Sequence, residues 1–76
     1  MVFIVRYQRS KALLLSLEQF DENDNEAIEV FINAEQVNTD DDIEIVLIST
    51  DSEKSLRKSY WRYFVNESKA KKASAV

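Results

Sequence analysis

The chain opens on Val2-Phe3-Ile4-Val5-Arg6-Tyr7, rich in β-branched and aromatic residues and too short for a stable helix, which predicts a strand. A second apolar run, Ala12 to Leu17, follows the short polar link Gln8-Arg9-Ser10-Lys11. Residues 2–18 therefore read as a β-hairpin, although Leu13-Leu14-Leu15 also suits a helix by propensity. After the polar break Asp21-Glu22-Asn23-Asp24-Asn25, the residues Ala27, Val30, Phe31, Ala34 and Val37 recur at helical spacing, widened by Ile28 and Ile32. Asn23 and Glu26 suit a capping box at the start of that helix, from Asp24 to about Val37. A strand competes for the same segment, because Ile28, Val30 and Ile32 also alternate. The helix formers Ala27, Ala34, Glu35 and Gln36 favour the helix.

The loop Asn38 to Asp42 leads into Ile43-Glu44-Ile45-Val46-Leu47-Ile48-Ser49, the clearest strand in the chain. Thr50 and Glu53 offer a second capping box. A helix is expected from about Asp51 to Asn66, with Leu56, Tyr60, Tyr63 and Phe64 on its apolar face. The prediction is a small α+β domain of order ββαβα spanning residues 1–67, with residues 68–76 a disordered basic tail. A right-handed crossover through the first helix would set strand 3 parallel to strand 2 and beside strand 1. That gives a three-stranded, mainly antiparallel sheet of order 2-1-3.

Alternation then sorts the strands into two faces. Phe3, Val5, Tyr7, Leu13, Leu15, Leu17, Ile45 and Leu47 fall on one, which the helices should cover. Val2, Ile4, Leu14, Val46 and Ile48 fall on the other, edged by Arg6, Ser16, Glu18 and Glu44. Two arrangements would hide this second face. The last helix closes over it in a three-layer monomer, or both helices share the first face and two chains pack sheet to sheet. The homodimer is the favoured reading, since a chain of 76 residues buries a marginal core on its own. In that reading Val2, Ile4, Leu14, Val46 and Ile48 form the protein interface. An exposed edge strand pairing chain to chain is a further route.

Composition narrows the chemistry. The chain has no Cys and no His, which removes disulfides, thiolate ligands and the commonest metal-binding side chain. Gly and Pro are absent too, so glycine-rich phosphate loops are excluded and turns fall to Asn, Asp and Ser. No apolar stretch approaches the length of a membrane span, and the start lacks the pattern of a secretory signal. The expected setting is soluble and cytoplasmic, with no membrane partner.

Net charge is −4 but strongly segregated: thirteen of the fourteen acids lie between Glu18 and Glu53, where there is no Lys or Arg. Asp21-Glu22-Asn23-Asp24-Asn25 starts like a calcium loop but has Glu26 and Ile32 where that loop requires Gly and Glu. Asp40-Asp41-Asp42 reads as a solvated loop. Ser10, Ser16, Ser49 and Ser52 sit in no nucleophile motif. No catalytic, cofactor-binding or metal site is expected, and no enzyme.

Arg57-Lys58-Ser59-Tyr60-Trp61-Arg62-Tyr63-Phe64 interleaves bases and aromatics. Tyr60, Tyr63 and Phe64 suit a core. Trp61 lies off that face, and with Arg57, Lys58 and Arg62 it forms a candidate partner contact. Glu44-Ile45-Val46-Leu47-Ile48-Ser49-Thr50-Asp51-Ser52, followed by Leu56 and Arg62-Tyr63-Phe64, resembles short uncharacterised bacterial proteins. They also end in a strand, a Ser-capped helix and an Arg-Tyr-Phe. With the hairpin, the resemblance spans residues 2–65; it implies the ββαβα order and a bacterial or phage origin, and no function. The function expected from these observations is a non-catalytic protein-interaction or regulatory module, homodimeric, with an unknown protein partner. An acidic inhibitor presenting Asp21–Glu29 and Asp40–Glu44 to a basic target is the second reading. A nucleic-acid-binding accessory protein using Arg57, Lys58, Trp61 and Arg62 is the third.

Overall fold

The computed structural model describes residues 1–23 and 25–66, so the proposed tail over 68–76 lies outside the described residues. Its elements are β1 (Val2–Gln8), β2 (Leu13–Phe20), α1 (Glu26–Val37), β3 (Ile43–Ser49), α2 (Glu53–Ser59) and a 3-10 turn at Trp61–Phe64. The sheet order is β2-β1-β3, and both neighbours of β1 run antiparallel to it. This is the small α+β domain that the apolar pattern predicts. Among the described residues no helix is long and apolar enough to cross a membrane.

The hairpin turns through residues 9–12, where Ala12 adopts φ 49°. Without glycine in the chain, a residue bearing a Cβ occupies this left-handed position. Between β1 and β2 the register shifts: Arg6 pairs with Ser16 but Tyr7 pairs with Leu14. Leu15 is therefore the extra residue of a β-bulge. It carries Leu14 onto the same side as Leu17, and both pack with Phe3 and Val5.

The two helices cover opposite faces. Phe3, Val5, Leu14, Ile48 and Leu56 form one buried cluster, with Tyr7, Leu17, Val46, Tyr63 and Phe64 packed on it. This is the side of α2 and the 3-10 turn. Ile4, one step along the pleat from Phe3 and Val5, is fully buried on the other side. There α1 lies over β3 and β1 and contributes the buried Ala27 and Ala34. Two small residues on its buried stripe let the helix approach the sheet closely.

This geometry corrects the face assignment made from alternation. Val2 and Ile4 lie on the α1 side, whereas Leu14, Val46 and Ile48 lie on the α2 side. Ile4, Leu14 and Ile48 are buried within the single chain, and Val2 and Val46 are half-buried. The five form no common exposed surface, and a sheet-to-sheet dimer has no bare face to use. The physical cause is that both faces of the sheet are covered, so β3 is apolar at both parities and carries no polar marker of its phase.

Two helix ends also differ from expectation. α1 begins at Glu26 with Asn25 as N-cap and no side-chain cap bond; Asn23 instead donates its backbone N–H to Asp21 Oδ1 at 3.4 Å. α2 is capped by Ser52, whose Oγ accepts from Ser55 N at 3.1 Å, and it stops at Ser59 rather than running to Asn66. Tyr60, at φ −120° and ψ 40°, breaks it, and the chain tightens into the 3-10 turn.

Candidate interaction surface

The break at Tyr60 decides which aromatics face the core. Tyr63 points inward: its ring meets Tyr7 edge-on at 4.9 Å and 77°. Its hydroxyl donates to Glu44 Oε2 at 2.9 Å. Tyr60 stacks over Tyr63 with centroids 6.4 Å apart and planes at 19°, but is itself 42% exposed. Trp61, 61% exposed, stands outside this stack. Tyr60 still closes the last helical bond, its N–H donating to Leu56 O at 2.9 Å, and the chain leaves the helix after it, so Tyr60 sits at the rim.

Glu44 links three segments. Register places it opposite Tyr7 on β1, its Oε2 accepts from Tyr63, and its Oε1 lies 3.5 Å from Arg9 Nε beside the hairpin turn. Burial, reinforced by the hydrogen bond and charge of Glu44, pushes the Tyr63 phenol up to about 12. Tyr63 thus stays protonated at neutral pH and works as a fixed donor, not as a base.

These residues line an open cleft of about 380 Å³ bounded by Tyr7, Glu44, Ser59, Tyr60, Trp61, Arg62 and Tyr63. Its walls are aromatic, and its one carboxylate has both oxygens engaged. Ser59 has no imidazole or thiol to activate it, since the chain contains neither His nor Cys.

The four candidate contact residues divide. Arg57 is occupied: its Nε donates to Glu53 Oε2 at 2.9 Å across one turn of α2, and its guanidinium sits 4.6 Å above the Phe64 ring. Lys58, Trp61 and Arg62 are exposed, so they and Tyr60 form the outward shelf. Tyr7, Glu44, Tyr60 and Tyr63 belong to the site but escaped sequence reasoning. The Tyr7–Glu44 pairing depends on the β1–β3 register, and Tyr60 depends on the helix break.

The acidic loop before β3 is used internally. Ser10 donates to Asp42 from both N (2.9 Å) and Oγ (2.6 Å), and Arg9 donates to the Asp41 carbonyl at 2.9 Å. The Ser10 hydroxyl holds the Asp42 carboxyl below its ordinary value. Asp40 Oδ1 accepts from Asp42 N, and Asn38 Oδ1 accepts from Asp40 N. The loop is a latch against the hairpin turn. Among the described residues no three acidic side chains converge as a metal site would require.

Comparison with known protein families, curated proteins and solved structures finds no match for this chain.

Proposed function

We propose that this domain is a non-catalytic protein-interaction module that binds its partner through the shelf Lys58, Tyr60, Trp61 and Arg62. The observation that carries this reading is Trp61, 61% exposed at the rim of a cleft. An exposed Trp loses a large apolar area to water, and a partner that covers it gains that area back. Its base is rigid, because Tyr63 is pinned between Tyr7 and Glu44. Little ordering entropy is then lost on binding. Arg62 borders the cleft with the Trp and Lys58 lies exposed three residues before it, and the cleft accepts one large side chain. The partner chemistry that fits is a peptide segment with a bulky apolar residue next to Asp or Glu.

The chain has a single Trp, so its fluorescence reads the shelf directly. Panning a displayed peptide library on the domain should enrich segments that pair aromatic or aliphatic residues with acids. The selected peptides should shift Trp61 emission, and Trp61→Ala should weaken them by at least tenfold. Arg62→Ala should weaken them less and remove part of their salt dependence. Peptides indifferent to Trp61→Ala would refute the assignment. So would tighter quenching by single-stranded oligonucleotides than by any peptide, which would make the shelf a base-stacking platform.

A further inference from the structure

We propose that the free edge of β3 pairs with β3 of a second copy of this chain, antiparallel and centred on Val46, joining two three-stranded sheets into one of six strands. This inference is independent of the aromatic shelf.

The β1–β3 register fixes which groups are free. Val2 pairs with Ser49, and the ladder runs without a bulge to Gln8 and Ile43. Thr50 N donates to Met1 O at 2.9 Å and Arg9 N to Asp42 O at 2.8 Å, continuing the same ladder and setting its phase. Bonded pairs alternate along an antiparallel ladder. Glu44, Val46 and Ile48 therefore bond toward β1, and the amide groups of Ile43, Ile45, Leu47 and Ser49 point outward. Ile43 is satisfied locally, by Asp40 O at 3.0 Å and by Asn38 Nδ2 at 3.1 Å. Ile45 and Leu47 have no outward partner among the described residues.

The opposite edge is treated differently. β2 carries the Leu15 bulge, and beside it Leu14 N donates to Asn66 O at 3.0 Å, so that edge is interrupted at its hairpin end and only Leu17 and Gln19 keep outward groups there. Natural edge strands are blunted by Lys, Pro, bulges or inward charges. β3 has no Lys, no Pro and no bulge, and its only charge, Glu44, is turned into the cleft.

The strand is self-complementary. A two-fold axis at Val46 lets Ile45 exchange both backbone bonds with Leu47 of the second copy, and Leu47 with Ile45, while Val46 meets Val46 and Glu44 meets Ile48. All seven residues overlap, and no like charges oppose each other within the strand. Beside them, Ile28 and Ile32 of α1 are 52% and 48% exposed and one helical turn apart. In a right-handed crossover, the sense nearly all such units take, α1 turns this flank toward β3. Pairing would bring the two flanks together over the joined edges. The expected burial is on the order of 1,000 Å² in total, about the threshold of a specific interface, which is the size class of weak, reversible association. The same register sets Asp41 opposite Asp51 of the second copy at each end, so added salt should strengthen assembly by screening.

Sedimentation equilibrium on the full chain over 5–500 μM, at low and at 0.5 M NaCl, should show a monomer–dimer equilibrium that tightens with salt. Val46→Cys places two thiols across a non-bonded pair about 4.5 Å apart at Cα, a separation a disulfide spans. In a chain with no other Cys it should oxidise to a covalent dimer at least tenfold faster than Gln19→Cys on β2. Circular dichroism of both variants confirms that each is folded. Trp61→Ala should leave the dimer intact. A wild-type chain monomeric at 500 μM in both salts would overturn the proposal. So would equal oxidation rates for the two Cys variants, or a dimer abolished by Trp61→Ala, which would put the contact on the shelf.

Discussion

Tyr63→Phe isolates the bond that ties the 3-10 turn to the sheet. The ring keeps its edge contact with Tyr7, and only the hydroxyl that donates to Glu44 Oε2 at 2.9 Å is lost. A hydrogen bond to a charged group contributes roughly 1.5–3 kcal/mol. Glu44 is 30% exposed, and its Oε1 keeps Arg9 as a neighbour, so the lower part of that range applies. The phenol's raised value, from 10.0 to about 12, has burial as its larger cause and the hydrogen bond and charge of Glu44 as the smaller ones, so it gives the direction of the pH dependence and not the size of the bond. The sign follows from the raised value. The folded state favours the protonated phenol, so the contribution is full below pH 10 and is lost as pH climbs from 10 toward 12. Urea unfolding followed by far-UV circular dichroism at pH 7 should show the variant less stable by about 1.5 kcal/mol, a fall in Tm of about 5–10 °C for a domain of this size. The gap between the two proteins should close by about pH 12. A gap that keeps its full size from pH 7 to pH 12, or a variant as stable as wild type at pH 7, would show that the Glu44 bond does not anchor the turn.

Three further substitutions test the scaffold. Ala12→Gly should stabilise the chain by about 0.5–1 kcal/mol, because relief of the left-handed strain exceeds the entropy that glycine adds to the unfolded state; an unchanged or lower urea midpoint would argue against a strained turn. Ser52→Ala removes the only side-chain cap of α2 among the described residues and should cost about 1 kcal/mol, whereas Thr50→Ala, outside the cap, should cost less than half of that in the same titration. Leu56→Ala empties a fully buried position where α2 meets the sheet; a loss of about 2–5 kcal/mol should leave the chain substantially unfolded at 37 °C by circular dichroism.

The order of elements and the 2-1-3 sheet were legible because they rest on local signals. β-branched runs read as strands, and Ala27, Ala34, Glu35 and Gln36 tipped an ambiguous segment to helix. What escaped depends on contacts remote in sequence. Ile43–Ser49 shows apolar residues at both parities because α1 covers one side and α2 the other, so its phase could not be read without its partner strand. The bulge at Leu15 sits in a run of identical leucines, and no residue type marks it. The break at Tyr60 follows a sequence with helical spacing through Phe64; it becomes understandable only once Tyr63 is seen to reach both Tyr7 and Glu44. Trp61, Lys58 and Arg62 were legible as a surface because they lie off the apolar stripe in either helix geometry. For Arg57 the i,i+4 pairing with Glu53 is legible in the charge pattern, whereas its contact with Phe64 is not, because Phe64 belongs to the 3-10 turn beyond the break at Tyr60.

With both sheet faces closed by one helix each, a domain of this size has only its periphery to offer a partner. β3 serves the periphery twice. Its Glu44 side chain holds Tyr63 and so fixes the base of the shelf, while the amide groups of Ile45 and Leu47 face away from β1. The side chain of one residue and the outward backbone of its neighbours are different atoms on different sides of the strand. Occupying the edge sets Ile48 of the second copy beside Glu44 but brings no donor to compete for its carboxylate oxygens, and covering Trp61 leaves the edge open. The two surfaces should respond to substitution as separate sites, with free energies that add. Coupling between them would instead require the shelf to move when β3 gains a neighbour, and the Tyr7, Tyr63 and Arg9 contacts that converge on Glu44 hold it against such a shift.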